Sequence, residues 1–192
     1  MLVTELDIAL DVGGKLDAIG VSWLIGGSVA SSLLGEPRAT ADVDLVADLR
    51  ERHVSRLCAA LAPDYYVDED VVRWAVATRR SFNAIHQATI TKVDVFCAKD
   101  DELSHEQFAR RLVLEVRGHA VPLSSAEDII IQKLLWFEAG GRVSDRQWRD
   151  ALGVLRVRAG TLDLEYLQRH AGNQGLTDLL RKLLGESRRD MD

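Results

Sequence analysis

Cysteine is scarce in this chain. Its 192 residues hold two, Cys58 and Cys97, neither in a Cys-x-x-Cys pair nor in a Cys/His cluster. A structural zinc site is therefore not expected, and both read as small buried thiols in a reducing cytoplasm. Basic excess is missing too: 24 Lys and Arg stand against 30 Asp and Glu, for a net charge of −6. That argues against a protein that coats nucleic acid nonspecifically, although a local basic groove on an acidic body is compatible with it. The N-terminus has no basic stretch leading into an apolar run, so no signal peptide is expected. No apolar run approaches the roughly 20 residues needed to cross a bilayer. These absences together predict a soluble cytoplasmic protein without a membrane partner. Internal repeats and low-complexity segments are also lacking.

What the chain has is enough apolar content for a packed core, 47% overall and 6% aromatic. Periodicity predicts helices over 4–19, 28–34, 50–61, 68–79 and 100–111, and strands over 21–26, 42–47, 81–87, 91–97 and 112–117. After Pro122 the pattern becomes helical. Ser124 and Glu127 have capping-box spacing and open a helix to about 139, ended by Gly140-Gly141. Helices over 144–157, 163–170 and 175–184 follow, and the polar tail 186–192 is expected to fray. The fold class is thus α+β: a mixed β-sheet flanked by helices over 1–122, then an all-helical half over 123–192 that completes an active-site cleft.

The chemistry begins at Asp42-Val43-Asp44. On a strand, alternate side chains share a face, so Asp42 and Asp44 point the same way, about 6.5–7 Å apart at the backbone, while Val43 and Leu45 face the core. Paired carboxylates repel unless a cation lies between them, and hard oxygen ligands suit magnesium or manganese. Upstream, Gly26-Gly27-Ser28 follows an apolar strand and opens a helix. Glycines let a backbone approach a phosphate closely, and a helix N-terminus favours anions. A third carboxylate, Asp94, interrupts the apolar strand Val93–Phe96 and shares a face with Lys92. In the helical half, Lys133 lies among Ile129, Ile130, Trp136 and Phe137, where an ammonium either snorkels to water or meets an anion.

An apolar strand, Gly-Gly-Ser, 13 intervening residues and Asp-x-Asp on a second strand resemble the DNA polymerase β-like nucleotidyltransferases. The segment Trp23–Val46, with its Gly35-Glu36-Pro37-Arg38-Ala39-Thr40 run, is similar to the small prokaryotic branch that includes AbiEii-type toxin nucleotidyltransferases. The stretch Phe82–His86 is similar as well, with no role assigned to Asn83 or His86. The resemblance implies transfer of a nucleoside monophosphate from a nucleoside triphosphate to an acceptor hydroxyl. It implies Asp42 and Asp44 bridging two metal ions, Asp94 on the ion nearer the acceptor, and Gly26, Gly27, Ser28 and Lys133 on the triphosphate. Arg38, Thr40, Lys92 and Asp150 are accessory positions. Asp145 and Asp150 stand five apart, which departs from the paired aspartates usual there. The acceptor expected first is tRNA, slightly ahead of a small hydroxylated molecule such as an aminoglycoside, with a protein hydroxyl as a third candidate. Residues 142–158 hold five arginines, which fit either an RNA groove or a solvated face. An antitoxin is a possible partner on the toxin reading. The rival is a non-catalytic nucleotide-binding module of the same fold.

Overall fold

In a computed structural model the chain is described over residues 3–189. Helix α1 (Glu5–Asp17) is opened by Thr4, whose hydroxyl accepts from the Asp7 amide while the Asp7 carboxylate accepts from the Thr4 amide. It lies on strand β1 (Trp23–Ile25), and the contact explains Gly13: a Cβ there would fall 2.1 Å from the Trp23 ring. Helix α2 (Gly27–Leu34) leads to β2 (Asp42–Ala47), where Val43 and Leu45 are fully buried and Asp42 and Asp44 are not. A short 3-10 turn, Glu51–His53, precedes α3 (Val54–Leu61). Then come β3 (Tyr65–Tyr66), α4 (Glu69–Thr78), β4 (Ser81–His86), β5 (Thr91–Cys97), α5 (Glu102–Ala109), β6 (Leu112–Val116) and β7 (His119–Leu123).

The seven strands among the described residues form one mixed sheet in the order β3-β4-β5-β2-β1-β7-β6. The centre is β2, parallel to β5 and antiparallel to β1, and β7 returns parallel to β1 through Ile25 and Leu123. Two of these strands, β3 and β7, are additional to the expected set. The helical series is α6 (Ala126–Ala139), α7 (Asp145–Arg158), α8 (Leu164–Asn173) and α9 (Thr177–Arg189). The architecture is the expected α+β class, a mixed sheet flanked by helices followed by a helical series.

The opening of α6 differs by one residue from the expected capping box. Ser125, not Ser124, is the N-cap: its Oγ accepts from the Asp128 amide and donates to the Asp128 carboxylate at 2.6 Å. Ser124 instead ends the sheet, with its amide bonded to the Ile25 carbonyl and its Oγ accepting from Gln107. Glu127 accepts from the Asp163 amide, and Tyr166 donates to Asp128, so both buried acids serve the packing of α8 on α6. At the C-terminus, α9 continues to Arg189 where fraying was expected from 186; residues 190–192 lie outside the described residues.

The chain divides into two compact units. One comprises the chain to Val29 together with Ala39–Ser124 and contains the sheet; the other comprises Ala30–Arg38 and the chain from Ser125 onward. No helix among the described residues is long and apolar enough to cross a membrane. Both cysteines are free and buried, and burial pushes each thiol up to about 11.

Candidate active site

The sheet unit brings together most of the residues singled out in the sequence. In the parallel register of β2 with β5, Asp44 lies opposite Asp94 and Asp42 opposite Lys92. Cross-strand neighbours share a face, so Asp42, Asp44 and Asp94 stand on one face of the two central strands, while Val43, Leu45, Val93 and Val95 fill the core on the other. A hydrophobic strand pair in fixed register is what holds three like charges side by side.

Protein donors compensate that charge. Lys92 Nζ sits 2.7 Å from Asp94 Oδ2, and Asn83, opposite Asp94 on β4, donates to the other carboxylate oxygen. The hydrogen bond to Asp94 holds the Lys92 ammonium above its ordinary range; burial opposes this, and the charges of Asp94, Asp42 and Asp44 add to it. The field of all three carboxylates thus acts on a single cation. Asp44 Oδ2 accepts from the Ser28 amide at 3.3 Å, at the start of α2. Among the described residues no three His, Cys, Asp or Glu side chains are already drawn together as a ready set of metal ligands.

The glycine turn has a specific reason. Gly27 adopts φ +53, and a Cβ there would lie 1.8 Å from Asp44 Oδ2. Both the backbone conformation and the carboxylate against it demand glycine. Gly26 is bonded through its amide to the Asp44 carbonyl at 2.9 Å, which fixes the turn against β2. Thr40 braces the entry to β2 through its hydroxyl and the Asp42 backbone. Of the two residues without an assigned role, Asn83 therefore serves Asp94. His86 packs on the Tyr65 ring at 5.2 Å and bonds Thr89, which is structural. Strand register was the signal that could have found Asn83, since it requires knowing that β4 pairs with β5.

The helical unit holds a second charged constellation. Lys133, 3% exposed at its side chain, places Nζ 2.7 Å from Asp150 Oδ2. Arg38 grips the same carboxylate with two bonds, Nε to Oδ1 at 2.7 Å and Nη2 to Oδ2 at 2.8 Å. Lys133 therefore meets an anion and does not snorkel. Burial raises the Asp150 carboxyl, but the bonds from Arg38 and Lys133 outweigh it and hold the group below the usual carboxylate range. Arg38 is presented by a close backbone approach: a Cβ on Gly35 would lie 2.6 Å from the Val154 amide nitrogen of α7.

Three of the five arginines of 142–158 are tied up within this unit. Arg142 bonds Glu138, Arg156 approaches Glu36 at 3.4 Å, and Arg158 donates to the Leu34 carbonyl. Arg146 and Arg149 are exposed.

No protein-family model matches the chain, and no curated protein does. Solved structures do. The antibiotic-resistance factor ANT(2'')-Ia, in complex with adenylyl-2''-tobramycin, superposes with a TM-score of 0.57 at 15% identity, covering 88% of this chain and 98% of that one. An antigenic nucleotidyltransferase-like protein from Paracoccidioides brasiliensis matches with a TM-score of 0.52 at 19% identity, over 93% and 91%. The lincosamide antibiotic adenylyltransferase LnuA, lincomycin-bound, gives 0.52 at 13% identity, over 80% and 96%. The fold is of the nucleotidyltransferase type.

Proposed function

We propose that this protein is a nucleotidyltransferase that moves a nucleoside monophosphate from a nucleoside triphosphate to the hydroxyl of a small molecule. The observation that carries the reading is the face of β2 and β5, where Asp42, Asp44 and Asp94 stand together beneath a glycine turn that has no room for a side chain. An ordinary edge strand has no reason to gather three carboxylates around a single lysine. The rival of a non-catalytic module is disfavoured because the carboxylate set is complete.

The donor set fits a hard divalent cation, magnesium or manganese. Asp42, Asp44 and Asp94 would hold it, and Lys92 would then yield the Asp94 oxygen it now occupies. When bound, such ions neutralise phosphate charge and make the acceptor hydroxyl more acidic. In the reaction the acceptor oxygen forms a bond to the α-phosphorus. The bond from that phosphorus to the bridging oxygen breaks, pyrophosphate leaves, and the hydroxyl proton passes to solvent. The chain's own contribution is positioning and electrostatics. The α2 amides and Ser28 are suited to the β- and γ-phosphates. Lys133, which the resemblance puts on the triphosphate, is held within its own unit by Asp150, which Arg38 also grips. With two free thiols, the protein is suited to the cytoplasm.

The small hydroxylated acceptor is favoured because three of the five arginines that suggested an RNA groove are engaged elsewhere. The solved neighbours of this fold also include an antibiotic-resistance factor in complex with adenylyl-2''-tobramycin and a lincosamide antibiotic adenylyltransferase. The exposed Arg146 and Arg149 favour the second reading, a toxin-like enzyme that acts on tRNA and answers to an antitoxin. The test is incubation with each α-labelled triphosphate and magnesium, plus an aminoglycoside and lincosamide panel or total tRNA. Label on a small molecule, lost at least about a hundredfold in Asp44→Asn, is the expected result. Label on tRNA alone would move the assignment to the second reading. Binding of triphosphate with no labelled acceptor in a whole-cell extract would return the non-catalytic module.

A further inference from the structure

The carboxylates occupy the start of β2 and the middle of β5. At the far ends of these parallel strands the chain forms a separate cavity of about 220 Å³. Its walls come from the turn after β2 (Asp48, Arg50), the turn after β5 (Ala98, Lys99), α5 (Ser104, His105, Phe108) and Arg111 before β6, with Ser22 beside them. The position is one that open sheets use for ligands, the crevice outside the carboxyl ends of parallel strands.

The charge of this cavity is uneven. Arg50 is paired with Asp48 at 3.0 Å and lies 4.0 Å from Asp100, and His105 also leans on Asp100, at 3.1 Å. Arg111 is different: its guanidinium donates to the Phe108 carbonyl at 2.7 Å and meets no carboxylate among the described residues. Lys99 makes no direct ion pair among the described residues, its nearest opposite charge being felt only through space at Asp101. Two cations from two different turns therefore face one cavity without a direct ion pair among the described residues, although the Lys99 charge is felt at Asp101, on a chain whose net charge is −6. Phe108 and Ala98 belong to the cluster of Leu24, Val46 and Phe96, which gives the cavity a fixed apolar floor.

We propose that this cavity is a binding site for the phosphate groups of a small molecule, distinct from the carboxylate face and carried by Lys99 and Arg111. Two cations outside direct ion pairs complement a dianion, and a guanidinium grips phosphate oxygens in a fork that a point charge cannot offer. The cavity is smaller than the roughly 300–1,000 Å³ of sites for drug-sized ligands, which suits a pyrophosphate or the phosphate tail of a nucleotide better than a whole nucleotide enclosed.

Calorimetry on the full chain in EDTA tests this, with pyrophosphate and ADP as separate probes. Saturable binding of either, weakened about tenfold or more in Lys99→Ala and in Arg111→Ala, is the expected result, because each removes a charge-assisted contact. Both side chains are exposed, so folding should survive, and Lys99→Glu should abolish binding with an unchanged melting temperature. Equal affinity for the two probes identifies a site for the free inorganic ion; tighter ADP binding identifies a nucleotide tail. Failure of both probes to bind below about 1 mM overturns the proposal. So does binding that the variants leave untouched, and so does a short RNA that binds through Lys99 and Arg111 while pyrophosphate does not.

Discussion

A carboxylate gripped by two cations in a protein interior is strongly committed to its ionised form. Asp150 is held in this way by Arg38 and Lys133, and its side chain is only 6% exposed. Removing its charge strands two cations, which costs about 3–5 kcal/mol when the site is buried. Asp150→Asn should therefore lower unfolding stability by that order at pH 7, while Lys133→Met should cost less because Arg38 still holds the acid. The sign of the pH effect follows from the depressed carboxyl. Stability from the ionised form is fully present above the unfolded value of about 3.9 and drains away as pH falls through the lower folded value. Urea titrations at pH 7 and pH 3 should show a smaller acid loss in Asp150→Asn than in the parent. A cost under about 1 kcal/mol at pH 7 would mean that the triad is loosely held. Lys133 was legible in the sequence as a cation on an apolar face, and so was the need for an anion or for water. Its partner was not, because Asp150 lies on another helix and only the α6–α7 packing brings it near.

Elements were legible where periodicity was long, and less so where it was short. The bounds of β2 and β5 follow from alternation, because β2 sets buried Val43 and Leu45 against Asp42 and Asp44, and β5 sets buried Val93 and Val95 against Lys92 and Asp94. By contrast, β3 has two residues and β7 reads His-Ala-Val-Pro-Leu, so neither shows a period of its own. Pairing supplies these strands: β7 exists because it lies between β1 and β6. Helix α1 tests how packing and propensity compete. Its adjacent glycines each weaken a helix by about 1 kcal/mol relative to alanine. At Gly14 an added Cβ meets nothing within 4 Å, so Gly14→Ala should stabilise the protein by up to about 1 kcal/mol. At Gly13 the same methyl strikes the Trp23 ring, which is held by its bond to Asp17. Overpacking costs about 1–3 kcal/mol, enough to cancel or reverse the helix gain. Thermal or urea melts of the two variants should therefore move in opposite directions, and a parallel rise would show that Trp23 can shift aside.

At the scale of the molecule, the sequence was legible as a sheet-bearing part followed by helices. It did not reveal that residues 30–38 pack with the helical unit, because the reason is tertiary: Gly35 against Val154 and Arg38 against Asp150. Charge is the whole-molecule property that bears on the acceptor. A chain of net charge −6 repels a polyanion at long range and attracts a cationic small molecule. These two acceptors differ sharply in their response to salt. An RNA held by several phosphate contacts releases counterions, and affinity falls about 0.7 log units per contact for each log unit of salt. A single cationic acceptor is only screened, with no condensed counterions to release. Transfer measured between 50 and 200 mM salt should thus show the acceptor KM changing by less than about tenfold on the small-molecule reading. With six or more phosphate contacts the RNA reading requires a far steeper loss, on the order of a few hundredfold or more. The triphosphate KM, followed in the same titration, serves as the internal reference, since its own charge is common to both readings. A steep loss confined to the acceptor would sink the small-molecule assignment, even if an antibiotic were also labelled at low salt.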